Sequence, residues 1–252
     1  MRRLALAALL AAAALPARPD VIDHGSGPSP RWGSFQLSFS TLQPDIDAGP
    51  FGPPTDTAVT TTPYATVFGT GKPLLTQLLF SRSVWMTVVG SLDVGAGIGF
   101  WKATGTGVCG PPNCSSPQPG GSSSLTMLPV QVAVGYRFDV FFEQWGVPLA
   151  PYLRGAIIDD IWWTSGQGSA SSSWPANSSG GTFGWAATFG LAFVLDALDP
   201  SMARQMDYDT GINHTLLFFD FTKESVNNFG SKNSWQLAPS YWMWSAGILF
   251  VF

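Results

Sequence analysis

Charge is what this chain most lacks. Only 11% of its 252 residues are Asp, Glu, Lys or Arg, against about 25% in an ordinary soluble domain, and that argues against a cytosolic enzyme. Basic runs are missing too: 12 Lys and Arg stand against 16 Asp and Glu for a net charge of −4, so no nucleic-acid partner is expected. With two cysteines and two histidines, a soft-ligand metal centre has too few donors, and no cofactor is expected either. After Leu15 no apolar run reaches the length of about 18 residues that marks a transmembrane helix. Apolar bulk, by contrast, is plentiful. A chain with 18 Phe and 11 Trp has ample area to bury, which excludes disorder.

The N-terminus reads as an address. Met1-Arg2-Arg3 precedes the Leu/Ala run Leu4 to Leu15, and Pro16-Ala17-Arg18-Pro19 follows. A positive start, a short apolar stretch and small residues before a charge make a secretory signal peptide, taken here as residues 1–19, with a flexible segment at 20–30. An exported, aromatic-rich, charge-poor chain without a spanning helix is either a secreted all-β domain or a transmembrane β-barrel.

Periodicity separates the two. From Phe183 to Asp196 the odd positions Phe183, Trp185, Ala187, Phe189, Leu191, Phe193 and Leu195 are apolar and mostly large. The even positions Gly184, Ala186, Thr188, Gly190, Ala192, Val194 and Asp196 are small or polar. Such strict alternation is a strand signature. Large residues meeting lipid around a narrow lumen of small and polar ones is the inverted polarity of a small barrel. The same pattern recurs at Ser34–Ser40, Leu92–Trp101, Met127–Phe138 and Tyr241–Phe252, and less cleanly at Leu74–Arg82, Leu149–Trp163 and His214–Phe221. Eight strands result, and single-chain outer-membrane barrels have an even number. The expected fold is therefore all-β: an eight-stranded antiparallel up-and-down transmembrane β-barrel over residues 31–252.

Long segments rich in Gly, Ser, Pro, Asn or Thr (Thr41–Pro73, Gly105–Ser124, Ser165–Gly181, Glu224–Ser234) alternate with the mostly shorter links Ser83–Gly90, Val140–Pro148 and Ala197–Ile212. The last of these links carries a helix signal, Asp199 as N-cap and Pro200 at the first position. Trp185, Trp242, Trp244 and the terminal Phe252 read as an aromatic girdle at the membrane interfaces. A secreted β-sandwich does not account for these outward aromatics.

Several residues carry possible chemistry. Cys109 and Cys114 flank Gly-Pro-Pro-Asn, which in an exported chain reads as a small disulfide loop, with a free dithiol as the alternative. Strand parity turns Asp93, Arg137, Arg154 and Asp196 inward, and an ion-pair network plugging the lumen is expected from them. Asp159-Asp160 reads as solvated rim charge rather than a cation site. His214 falls at the rim away from the long loops, where a structural hydrogen bond is the simpler reading; no catalytic residue is assigned.

Thr182-Phe183-Gly184-Trp185 leading into Leu195-Asp196-Ala197-Leu198-Asp199-Pro200, then Ala203-Arg204 and Gly211-Ile212-Asn213-His214-Thr215, resembles an uncharacterised family of outer-membrane β-barrel proteins known mainly from myxobacteria and related bacteria. Arg31-Trp32-Gly33-Ser34-Phe35 and Tyr136-Arg137-Phe138-Asp139 fit the same family. The resemblance implies the outer membrane of a Gram-negative bacterium, with outer-membrane lipid as a partner, and it implies no activity. Phe252 matches the terminal aromatic by which the barrel-assembly machinery recognises resembling proteins. The expected role is a structural or surface-interaction barrel with a side-chain-filled lumen. Alternatives are a narrow channel for small or apolar solutes, suggested by inward Leu216, Phe218, Leu249 and Trp101, and a lipid-modifying or proteolytic barrel.

Overall fold

The structure is a computed structural model that describes residues 29–48, 63–109, 118–166, 177–231 and 234–252. The signal-peptide reading and the Cys109–Cys114 bridge, which requires Cys114, lie outside the described residues. Eight antiparallel strands close into one barrel in sequence order: β1 Gly33–Thr41, β2 Leu74–Met86, β3 Ser91–Cys109, β4 Gln118–Arg137, β5 Leu149–Gly166, β6 Asn177–Val194, β7 His214–Val226 and β8 Met243–Val251. The seam pairs β1 with β8, from Ser34 opposite Val251 to Ser40 opposite Ser245. Each strand has its ladder partners on both sides, so the sheet leaves no edge.

Parity follows from which side meets which solvent. On β1, Ser34, Gln36, Ser38 and Ser40 are buried while Phe39 is exposed; on β6, Thr182, Ala186 and Thr188 are buried while Phe183, Trp185 and Phe189 are exposed. The exposed face is apolar around the wall: Phe80, Ile98, Val132, Ile157, Leu191 and Phe219 all point out. A closed barrel with an apolar exterior and a polar interior is the arrangement that hydrocarbon surrounds. The chain is thus a transmembrane β-barrel of the outer-membrane type. Among the described residues no helix is long and apolar enough to cross a membrane.

Expectations about boundaries are corrected at several places. β3 and β4 run on to Cys109 and from Gln118, so most of Gly105–Ser124 is strand rather than loop; β5 and β6 likewise extend through Gly166 and from Asn177. Above the bilayer both faces are wet, so alternation fades while backbone pairing continues through Ser, Gly and Thr. β2 continues past a register shift between Ser83 and Trp85 as far as Met86, shortening the expected turn at Ser83–Gly90. β8 starts at Met243, two residues late, and β6 ends at Val194, leaving Asp196 in the 3-10 turn Leu195–Ala197. Ser29, within the segment expected to be flexible, donates to Asp207 and accepts from Asn213.

Among the described residues three α-helices lie outside the wall: α1 Pro63–Phe68 in the β1–β2 connection, α2 Val140–Glu143 between β4 and β5, and α3 Pro200–Thr210 between β6 and β7. α3 starts where the Asp199 side chain accepts the Ser201 and Met202 N–H groups. It stops at Gly211, whose φ of 73° is the left-handed cap. Tall strands β3–β6 form one side of the barrel and short β1, β2, β7 and β8 the other.

Candidate functional site: the lumen and its two closures

Midway along the lumen three strands meet at one carboxylate, and a fourth joins them through Arg154. Asp220 of β7 is 0% exposed. It accepts the Tyr152 hydroxyl at 2.7 Å, the Ser245 hydroxyl, and Arg154 Nη2 at 3.4 Å, while Arg154 Nη1 donates to Gln36 Oε1 at 2.8 Å. β5, β7, β8 and β1 are thereby tied across the lumen. A charge this deep is stable only when paired and supplied with further donors. Room for the Tyr152–Asp220 contact comes from Gly190, where a Cβ would lie 2.4 Å from the Tyr152 ring and 2.6 Å from Asp220. Next to this node a polar pocket of about 10 Å³ is enclosed by Ser40, Gln77, Gln131, Arg154, Thr222 and Glu224 among others, room for about one water.

On the loop side the lumen is closed by an apolar core. Leu75, Trp101, Leu125 and Met127 come from strands; Leu42, Tyr64, Leu237 and Ala238 come from the connections above them. Trp101 Nε1 donates to the Leu42 carbonyl at 3.1 Å, Leu237 N–H donates to the Val226 carbonyl at 3.0 Å, and Trp162 stacks on Trp235 at 4.3 Å. Asp47 caps α1 by accepting Tyr64 N–H at 2.8 Å and Ala65 N–H at 3.4 Å. Burial, then Asp47, then Tyr241 push the Tyr64 phenol up to about 12.

At the rim that carries the first and last strand ends, the closure is mixed. α2 folds beneath the mouth, and Phe142 packs on the cluster of Leu216, Phe218, Leu249 and Val251 and edge-on to His214 at 5.1 Å. On the opposite flank Arg137 Nε pairs with Asp139 at 2.7 Å, and Arg31 pairs with Glu143 and lies 3.7 Å from Asp139. A recess of about 50 Å³ remains, lined by Asp93, Arg137, Tyr152 and Arg154 among others.

The four charges expected to share one network are divided. Asp93, Arg137 and Arg154 do line the lumen. Yet Asp93 accepts Ser83 Oγ at 2.7 Å, Arg137 turns to Asp139, Arg154 turns to Asp220, and Asp196 lies 2.6 Å from His214 Nδ1. The reason is local: Arg137 is the last residue of its strand, so the turn that follows folds Asp139 back onto it. Asp196 has already left β6. Asp160 is also corrected, since it is buried inside at 4% exposure rather than solvated at a rim. Asp220 and Glu224 were missed, although both stand on the inward parity of His214, Leu216 and Phe218. Trp185, Trp242 and Trp244 are exposed on the outside, and Phe252 stacks on Trp32 at 5.8 Å beside the seam. Among the described residues no three His, Cys, Asp or Glu gather as metal donors.

Fold and lumen together define a small closed β-barrel of the outer membrane. No protein-family model matches the chain, and no curated protein matches it. Among solved structures, Neisserial surface protein A (NspA) aligns at 11% identity and a TM-score of 0.46, over 90% of this chain and 99% of its own. OprG of Pseudomonas aeruginosa aligns at 15% identity and 0.42, over 90% and 98%, and the attachment invasion locus protein Ail of Yersinia pestis at 11% and 0.37, over 88% and 97%. At these scores no function passes from them to this chain; the barrel rests on its own strand register.

Proposed function

We propose that the protein is a closed outer-membrane barrel with a structural or surface-interaction role, presenting the connections above β1–β8 at the cell surface. The observation that carries this reading is the double closure of the lumen, an apolar core at one end and a folded-back turn at the other, with pockets of about 10 and 50 Å³ beside Arg154 between them. Eight strands give an interior just wide enough for side chains to fill. Inward Trp101, Leu216, Phe218 and Leu249, which as a bare pattern suggested an apolar path, are packed in the two plugs. His214 contacts Asp196 and Phe142 in the terminal closure, a positioning role. Two measurements test it: planar-bilayer recordings should show no steady conductance, and a tag inserted at residues 167–176 should be reached by antibody on intact cells. A stable open level in the recordings, or a tag reached only after the outer membrane is permeabilised, would refute it.

A further inference from the structure

We propose that the upper part of β6, Asn177 to Gly181, is a docking edge on which an extended segment of another protein pairs as an added antiparallel strand. The barrel wall is closed, but the sheet that stands above it is not. β6 pairs with β7 only from Gly184, opposite Val226, to Val194, opposite Leu216, whereas its pairing with β5 continues up to Asn177, opposite Ser165. β3 likewise outruns β2, which it last meets at Trp101 opposite Leu75, and stays paired with β4 as far as Cys109. The four tall strands thus form a sheet with two sides above the rim. On one side β3 is already in contact with α1, since a Cβ on Gly105 would lie 1.9 Å from the Val67 carbonyl oxygen. The other side is β6.

Asn228, just past the end of β7, fixes the direction of the β6 backbone groups. Its N–H donates to the Phe183 carbonyl at 2.8 Å, and its Oδ1 accepts the Phe183 N–H at 2.9 Å. One more position of the ladder is completed in this way, and then the chain turns off through Phe229 and Gly230, at φ of 57° and 89°. Phe183 therefore sends both backbone groups away from β5. Alternate residues of an antiparallel ladder face opposite neighbours, so Gly181, Ser179 and Asn177 do the same. Among the described residues no group meets them there. Ser179 and Gly181 are exposed. Natural sheet edges are kept from pairing by Pro, by charge or by a bulge. Asn177-Ser178-Ser179-Gly180-Gly181 has no Pro and no charge, and its register with β5 runs without a shift.

This geometry selects the occupant. Three N–H and three C=O groups, alternating along one line about 7 Å apart per residue pair, match the edge of another strand. A second copy in the same membrane does not fit. Two such copies are related by an axis along the membrane normal, and barrel strands tilt by roughly 35–45° from it, so their β6 edges would cross instead of running alongside. The partner is thus a segment of a different protein, held chiefly by its main chain. Ile161 and Trp163, opposite Gly181 and Ser179 on β5, are exposed on the outer face. With only Gly and Ser between, β-branched or aromatic residues at alternate positions of the added strand reach toward them.

The inference deepens the proposed surface-interaction role, on which it rests, by naming the kind of partner, and its test does not use the orientation in the membrane. Amide hydrogen exchange is followed by NMR in the full-length barrel in detergent micelles, alone and with excess acetyl-Thr-Val-Thr-Val-Thr-Val-Thr-amide. Alone, the Ser179 and Gly181 amides should exchange at nearly unprotected rates. The peptide should slow both by about tenfold or more and leave Gly180 and Thr182, which face β5, unchanged. The same peptide N-methylated at every residue should have no effect. Ser179→Pro removes an N–H that the β5 ladder does not use, and it should abolish the protection of Gly181. Heat-dependent gel mobility verifies that this variant is folded, and the N-methylated peptide tests the same point on the unaltered chain. Protection of both amides without peptide would mean that the chain covers its own edge, and it overturns the proposal. Exchange unchanged by the peptide, equal protection by the N-methylated form, or protection of Gly181 in folded Ser179→Pro also overturns it. Bilayer conductance and antibody access on cells test the surface role separately, so the two readings fail distinguishably.

Discussion

The two ends of the lumen are closed with different materials. At the loop side, Leu42, Tyr64, Leu237 and Ala238 arrive from connections distant in sequence and pack on Trp101 and Met127. This closure is a small apolar core of the kind found in a soluble domain, set on top of a barrel. At the terminal side, residues that flank the strands close the mouth through Arg137–Asp139, Arg31–Glu143 and the packing of Phe142. Between them stands the Arg154–Asp220 node, which belongs to neither. The apolar closure draws its stability chiefly from area removed from water rather than from ion pairs. The terminal closure and the node depend on groups that are costly to bury unless paired. If that division is right, substitutions at the three levels differ in size and in what they respond to.

The node should be the most sensitive. Asp220→Ala removes an acceptor shared by three donors and leaves the Arg154 guanidinium without its carboxylate, a loss of about 3 to 5 kcal/mol. Arg154→Ala should cost a similar amount, because it strands a fully buried carboxylate. The double variant should cost less than the sum, since neither Arg154 nor Asp220 is then left without the other. Urea unfolding in detergent micelles, followed by tryptophan fluorescence, measures this. Strict additivity would mean the pair contributes nothing as a pair.

Next in size is the loop-side core. Leu237 is fully buried, and Leu237→Ala leaves a cavity that should cost about 2 to 4 kcal/mol. Protease sensitivity should rise in the connections above the barrel while the wall persists. If the wall unfolds together with the loops, the core is not a separate unit and the contrast between the two ends dissolves.

A smaller effect separates the ends by pH. In the folded chain the Tyr64 phenol titrates at about 12, well above its ordinary 10. Between those values the unfolded chain has lost the proton and the folded one has kept it, so folding weakens as pH rises through that window and is unaffected below it. Alkali should therefore loosen the loop-side closure first, seen as greater quencher access to its tryptophans. Tyr64→Phe should abolish that window, and an unchanged alkaline response in the variant would remove Tyr64 from the explanation.

How much of this was legible depended on the solvent each residue meets. Along Phe183–Val194 lipid demands a large apolar residue at every second position and the lumen demands a small one, so the pattern could be read directly. Beyond the bilayer, in Gly105–Cys109 or Asn177–Gly181, no such demand exists and strands read as loops. Leu42 and Leu237 gave no periodic signal because each is one apolar residue in an irregular segment, and only the closed barrel brings them together. Asp160 shows parity outweighing composition. Its neighbour Asp159 suggested an exposed acidic pair, but Tyr152 and Arg154 already placed position 160 inside. Asp220 stands on an equally clear inward register with Leu216 and Phe218, but its pairing with Arg154 runs across the closed barrel from β7 to β5 and leaves no mark in the local pattern.

The smallest expected effect lies at the edge of the terminal side, in α3. Asp199 is exposed, and its carboxylate titrates below the ordinary range because the Ser201 hydroxyl and the Met202 and Ser201 N–H groups donate to its ionised form. A depressed folded-state value means that its contribution is complete above the ordinary carboxylate pKa and is lost as pH falls through the lower folded value. Acid should therefore fray the first turn of α3 while leaving the loop-side core intact, the mirror of the alkaline response of Tyr64. Hydrogen exchange at the Ser201 and Met202 amides, followed from about pH 6 down to about pH 2 and corrected for intrinsic rates, reads this locally. Asp199→Ala should exchange faster at neutral pH and lose most of the acid dependence, because water replaces the cap at every pH. Asp199→Asn, which keeps an acceptor but not the charge, should fall between the two. Barrel unfolding in urea should hardly move in either variant, since α3 lies outside the wall. If the two amides in Asp199→Ala retain the acid dependence of the parent, the titrating group lies elsewhere in the terminal closure, and the assignment of acid sensitivity to this cap fails.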